Sequence, residues 1–144
     1  MMRAGTAVAI IATGVFLFVP CIWLTSTAVT WATLAYNYST YSRIVVESQR
    51  GIIEPDPYTQ YRSRYGTTFV LDTGPPIRVA FPFEGGILDN WEGIVYDPTD
   101  AVSQAKGFTQ NNEFTAPDNI KSLFGGDIVA CSPMTTHYYH CTFT

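Results

Sequence analysis

The sequence predicts an α+β protein: a single N-terminal transmembrane helix followed by a small, mainly antiparallel β domain with one or two short helices. Three observations predict it. Residues Ala4 to Ser42 contain no Asp, Glu, Lys, Arg or His. From Thr67 onward, β-rich runs alternate with turn clusters of Gly, Pro, Asn and Asp, the pattern of short strands in an antiparallel sheet. Two cysteines, Cys131 and Cys141, lie symmetrically about residue 136 near the last of these runs. The expected organisation is an anchor over residues 1–42, a stalk or connector over 43–66, and a domain over 67–144.

The anchor is read first. The span from Val8 to Val29 is about as long as a helix that crosses a hydrocarbon core of roughly 30 Å. Pro20 falls inside it and lacks a backbone donor, which predicts a kink. Trp31, Tyr36, Tyr38 and Tyr41 follow and form the expected membrane-interface belt, where rings with a polar tip are favoured. Gly5, Ala9 and Thr13 recur every fourth residue, with Ala12 beside them. They predict a helix-packing face, because close approach of small residues drives association in lipid. A cleaved signal peptide is the competing reading, with Arg3 as the positive start and Ser26-Thr27-Ala28 as the small-residue site.

Composition narrows the function. The chain has 144 residues and a formal net charge of −4. After residue 42 there are seven Lys/Arg and twelve Asp/Glu. That acidic balance argues against nucleic-acid binding, which needs a basic face. The 15% aromatic content suits a dense core in a small domain.

Along the chain, Asn37-Tyr38-Ser39 has the form of a glycosylation sequon and is read as an interfacial polar patch. Arg43-Ile44-Val45-Val46 fits either a helical stalk or a strand. Gly51 to Gly66 reads as a connector, because Glu54-Pro55-Asp56-Pro57 excludes regular structure. Tyr58, Tyr61, Arg62, Arg64 and Tyr65 then read as a solvated or interface segment. Thr67–Leu71, Ile77–Phe83, Trp91–Tyr96, Asp127–Cys131 and His137–Phe143 are expected strands. Ala101–Lys106 is a short helix or a returning strand. Pro117 opens an expected helix through Leu123, with Gly125 as its cap.

Candidate chemistry is sparse. Asp72-Thr73-Gly74 matches the aspartic-protease triplet, but a single copy followed by Pro-Pro reads as a turn. Asp89, Glu92, Asp97 and Asp100 are candidate paired carboxylates or a calcium-like oxygen cluster, against turn and capping chemistry as the plainer reading. His137, His140, Cys131 and Cys141 are metal-ligand types, but strand alternation puts His137 and Cys141 on one face and His140 on the other. A hairpin centred on residue 136 opposes Cys131 and Cys141, which predicts a disulfide and an oxidising compartment. No Gly-x-Ser-x-Gly elbow and no Cys-x-x-Cys-His occurs. No catalytic residue, cofactor or metal is therefore expected, and the chain is not expected to be an enzyme.

The stretches Asp89-Asn90-Trp91-Glu92-Gly93-Ile94-Val95-Tyr96-Asp97-Pro98-Thr99, Leu123-Phe124-Gly125-Gly126-Asp127-Ile128-Val129-Ala130-Cys131 and Tyr138-Tyr139-His140-Cys141-Thr142-Phe143-Thr144 resemble small membrane-anchored bacterial proteins of unassigned function. The resemblance covers only the C-terminal part of the chain and implies a bacterial, envelope-facing protein. The expectation is a single-pass accessory or structural subunit of a larger membrane complex, in the bacterial inner membrane with its domain in the periplasm. Its partners are the membrane and other membrane-protein subunits. A stand-alone anchored binding module is the alternative.

Overall fold

The computed structural model describes the backbone of residues 4–53, 61–83, 90–111 and 113–144, with side chains described from Thr27 onward except at Tyr61. The chain forms two units, Met1–Tyr36 and Asn37–Thr144.

The first unit is helical from Ala4. It belongs to α1, which runs from Ala4 to Gln49. Among its described side chains, Thr30 and Leu34 are buried, whereas Val29, Trp31 and Tyr36 are 64%, 46% and 88% exposed. The expected packing face of Gly5, Ala9, Ala12 and Thr13 lies outside the described residues as far as side chains are concerned.

No helix among the described residues is long and apolar enough to cross a membrane. The membrane-spanning element of the expected fold class is corrected accordingly. Nor does α1 stop at the aromatic belt: it continues through Arg43 and Glu47 to Gln49. Over that length it is a helix with one buried stripe, formed by Tyr41, Ile44, Val45 and Ser48, the pattern of a helix packed on a protein core. The segment Arg43–Val46, which fitted either helix or strand, is helix. Gly51 then ends α1 with φ 70°. Gly51 N–H donates to Ser48 O and Ile52 N–H to Glu47 O, the paired bonds of a Schellman cap.

Among the described residues, the second unit also carries a seven-stranded antiparallel sheet. Its strands are β1 (Tyr61–Arg64), β2 (Thr67–Asp72), β3 (Arg78–Pro82), β4 (Trp91–Tyr96), β5 (Ser122–Leu123), β6 (Gly126–Thr135) and β7 (Tyr138–Phe143). They lie in the order β1-β2-β3-β4-β7-β6-β5. The architecture is a mostly antiparallel β half-barrel with one principal helix, rather than an anchored α+β domain.

Register assigns the faces. Val79, Phe81, Ile94, Tyr96 and Tyr138 fall on one face. That face meets α1, where Tyr41 stacks on Phe81 at 3.9 Å between ring centroids. Val70, Ala80, Val95, Tyr139, Cys141 and Phe143 fall on the other face. They join Val102, Ala105, Ile120, Leu123, Phe124 and Ile128 in one core cluster. Each large side chain taken fully from water here contributes roughly 1.5–3 kcal/mol. A sheet covered on both sides explains why Arg78, Val79, Ala80 and Phe81 are all buried. Antiparallel strands with one wet face would alternate instead.

One expected helix contracts, and the segment that fitted a short helix or a returning strand is settled as neither an α-helix nor a strand. Ala101–Gln104 is a 3₁₀ turn. Pro117 precedes α2 (Asp118–Lys121), a single turn that hands over to β5 because Ser122 and Leu123 pair with Asp127 and Gly126. One strand lies where a connector was expected, and another runs further than expected. β1 emerges from the connector and joins β2 through Tyr65 and Gly66, whose φ values of 55° and 74° are those of a two-residue type I′ hairpin turn. β6 runs through the expected turn to Thr135, with irregular register at two places.

Candidate functional site

Most of the polar chemistry of the second unit gathers at one end of the sheet, where β3 begins, β4 ends and the β6–β7 hairpin turns. β4 delivers Asp97 just past its last residue. The Asp97 side chain is fully buried. Its Oδ1 accepts from Thr99 N–H at 3.0 Å, Thr99 Oγ1–H at 2.7 Å and Arg78 Nε–H at 3.1 Å, and its Oδ2 accepts from Val102 N–H at 3.0 Å. Burial alone would raise its pKa. The donors from Val102 and Thr99 and the Arg78 guanidinium outweigh it and hold the carboxyl below the usual carboxylate value. Arg78 Nη1 also donates to Asp72 Oδ2 at 3.1 Å. Arg78 thus lies between two carboxylates, which is what a buried guanidinium requires.

Asp100 forms a second centre beside the first. Tyr139 Oη–H donates to Asp100 Oδ1 at 2.8 Å, and His137 Nδ1 lies 2.9 Å from the same oxygen. Both partners lower the Asp100 pKa, the tyrosine more than the histidine. The Tyr139 hydroxyl is pushed up to about 12, first by burial and then by its bond to this carboxylate. Asp97 N–H donates to His137 O at 2.9 Å, tying the hairpin turn to the end of β4.

The four acids singled out in the sequence therefore separate. Asp97 and Asp100 sit together, each engaged by donors of the chain itself. Glu92 lies at the start of β4, where its Oε2 is 3.3 Å from His140 Nε2 without hydrogen-bond alignment. Asp89 lies outside the described residues. Among the described residues no group of three His, Cys, Asp or Glu could hold a metal ion. The Asp72-Thr73-Gly74 triplet is a turn: Asp72 Oδ1 accepts from Gly74 N–H at 3.4 Å while Oδ2 serves Arg78.

Cys131 and Cys141 are directly opposed in register and joined by a disulfide. Both are buried. His140 points to the opposite face from Cys141, as alternation requires. His137 is not part of β7 but occupies the hairpin turn at φ 63°.

A third polar centre fastens the β1–β2 turn to α1. Tyr65 Oη–H donates to Glu47 Oε1 at 2.6 Å, and Arg43 Nε–H reaches the same oxygen at 3.3 Å. Arg64 Nε pairs with Glu47 Oε2 at 2.6 Å, an ion pair without hydrogen-bond alignment. The Arg43 guanidinium lies 4.2 Å from the Tyr65 ring centroid, a cation–π distance. Of the expected interface belt, Tyr41 packs on Phe81 and Tyr38 lies 5.6 Å from the Tyr138 ring, while Trp31 and Tyr36 are exposed.

Sequence reasoning missed Arg78, Glu47 and Tyr139. An Arg opening a strand between apolar residues was the one available signal for Arg78. Chemically, each centre accepts hydrogen bonds from its own chain, and so fastens one element to another. No protein-family model, curated protein or solved structure matches the chain.

Proposed function

We propose that this chain is a structural, non-enzymatic subunit of a larger protein assembly, presenting a disulfide-stapled β domain outside the cytoplasm. The observation that carries this reading is the contrast between the two units. The second unit has its own core, drawn from residues 70 to 143. The first is one helical segment with no charged residue from Ala4 to Tyr36, and Val29, Trp31 and Tyr36 on it are exposed. An uncharged helix of this length with exposed large apolar side chains favours burial against other chains. The polar centres support the non-enzymatic half of the reading, because Asp97, Asp100 and Glu47 each hold structural donors. The Cys131–Cys141 bond supports the location, because disulfides persist in oxidising compartments.

Crosslinking of the tagged full-length chain in cells, followed by native mass measurement, tests the assembly. The expected result is a stable species of defined stoichiometry well above the 16.0 kDa of one chain. A species of one chain alone would overturn it and favour the stand-alone binding module. Alkylation of the unfolded chain, trapped directly from cells, tests the compartment. One labelled cysteine before reduction and three after are expected. Three before reduction would overturn the location.

A further inference from the structure

We propose that Asp100 is an acid-released clasp on the β6–β7 hairpin. Asp100 and His137 are both non-glycine residues in the left-handed region, at φ 59° and 63°, a conformation that persists only where surroundings hold it. Their side chains meet, and the Asp100 backbone is also held by Asp100 N–H to Asp97 O at 3.2 Å and by Ser103 N–H to Asp100 O at 3.1 Å. His137 Nδ1 and the Tyr139 hydroxyl converge on one oxygen, Asp100 Oδ1. The turn has one further tie there, from Asp97 N–H to His137 O. The groups facing Asp100 are His137 from the turn, Tyr139 from β7 and Asp97 from the end of β4. Tyr96 meets the His137 ring edge-on at 6.1 Å, and Arg78 is held by Asp97 and Asp72.

Protonating Asp100 removes the charge that strengthens both bonds and leaves at most a neutral acceptor, which loosens the hold on the turn. The clasp therefore opens at the acid end. Because Tyr138 is enclosed by Tyr38, Tyr96 and Ser42 on the helix side, release loosens the tip before it loosens the sheet.

Amide hydrogen exchange of the full chain between pH 7 and pH 3 tests this, with Asp97 N–H as the direct reporter and Thr136–Tyr139 as the tip. The expected result is a loss of protection of at least about tenfold in an acid step above the pH of global unfolding, the scale of a lost charge-assisted hydrogen bond. Asp100→Asn should show the reduced protection already at pH 7 and no acid step. Asp100→Gly, which keeps the left-handed backbone without strain, should behave the same way. Wild-type protection that falls only with global unfolding would overturn the clasp. So would wild-type protection at pH 7 in either variant.

Discussion

Arg78 and Asp97 form an ion pair withdrawn from water on both sides: Nε and Oδ1 are 3.1 Å apart, and the two side chains are 7% and 0% exposed. Asp97→Asn leaves Arg78 with one carboxylate and turns one of the two accepting oxygens into an amide donor, so that either Thr99 or Val102 loses its acceptor. A loss of about 3 kcal/mol at pH 7 is expected, the scale of breaking a buried pair. Because the folded-state pKa of Asp97 is lowered, its contribution is full above the unfolded value of about 3.9 and is lost as pH falls through the folded value. Urea unfolding from pH 7 to pH 2 should show wild type converging on Asp97→Asn at the acid end. A constant gap across that range would show that the charge is not what stabilises.

Tyr139 makes the opposite prediction at high pH. Its folded-state pKa is raised to about 12, so its contribution is full below the unfolded value of about 10 and is lost as pH rises through the folded one. Tyr139→Phe should be less stable than wild type at pH 8 and should lose less stability between pH 10 and 12. Ultraviolet titration of the phenolates should show one fewer late-titrating tyrosine in the variant.

Replacing Cys131 and Cys141 together by Ala removes a cross-link between residues ten apart in sequence. Closing a loop of that size contributes roughly 2–3 kcal/mol. The expected result is a lowered midpoint of chemical unfolding with the β6–β7 register retained by backbone exchange. An unchanged midpoint would mean that the hairpin is held by its hydrogen bonds and packing alone.

Gly93 lies opposite both Pro82 and Cys141 in the sheet. A β-carbon there would stand 2.5 Å from Phe81 O and 2.8 Å from Pro82 Cα, and both are backbone atoms that cannot step aside. Gly93→Ala should cost about 2 kcal/mol or more through forced separation of β3 from β4. Thermal unfolding measures it. Glu92→Ala, one residue earlier on an exposed side chain, should change little by the same measurement.

Tyr65→Phe tests the fastening of the β1–β2 turn. The Tyr65 hydroxyl is the first cause of the lowered Glu47 pKa. Carbon-13 titration of the Glu47 carboxyl should move upward toward the ordinary value in the variant. An unmoved titration would assign the effect to Arg64 and Arg43 instead.

Much of the second unit was legible in the sequence. The core of β2, β3 and β7 and all of β4 were bounded by the turn residues that read as breaks, and the opposed cysteines follow from counting along a hairpin. What was not legible depends on contacts distant in sequence. The Tyr65-Gly66 turn carries Tyr where Asn or Asp would announce it, and Tyr is tolerated because Glu47 and Arg43 hold its ring and hydroxyl. Residues 37–42 of α1 read the same as an uncharged exit segment until Phe81 and Tyr138 are placed beside them. Asp97 and Asp100 look alike as turn acids. Only the arrival of Arg78 from nineteen residues earlier and of His137 and Tyr139 from β7 and its turn gives them different environments.

The strand order also governs how this domain can be made. β7 follows all the other strands in the chain, yet it is an interior strand, inserted between β4 and β6. Until Phe143 has emerged, the meander β1–β4 carries an open edge along β4, and β6 lacks its principal neighbour. Folding therefore completes only after synthesis of this region is finished. A nascent or truncated chain offers two unpaired edges to other strands, the condition under which misassembly competes with folding. The Cys131–Cys141 bond joins β6 to β7 and so makes permanent one of the two pairings that the insertion requires.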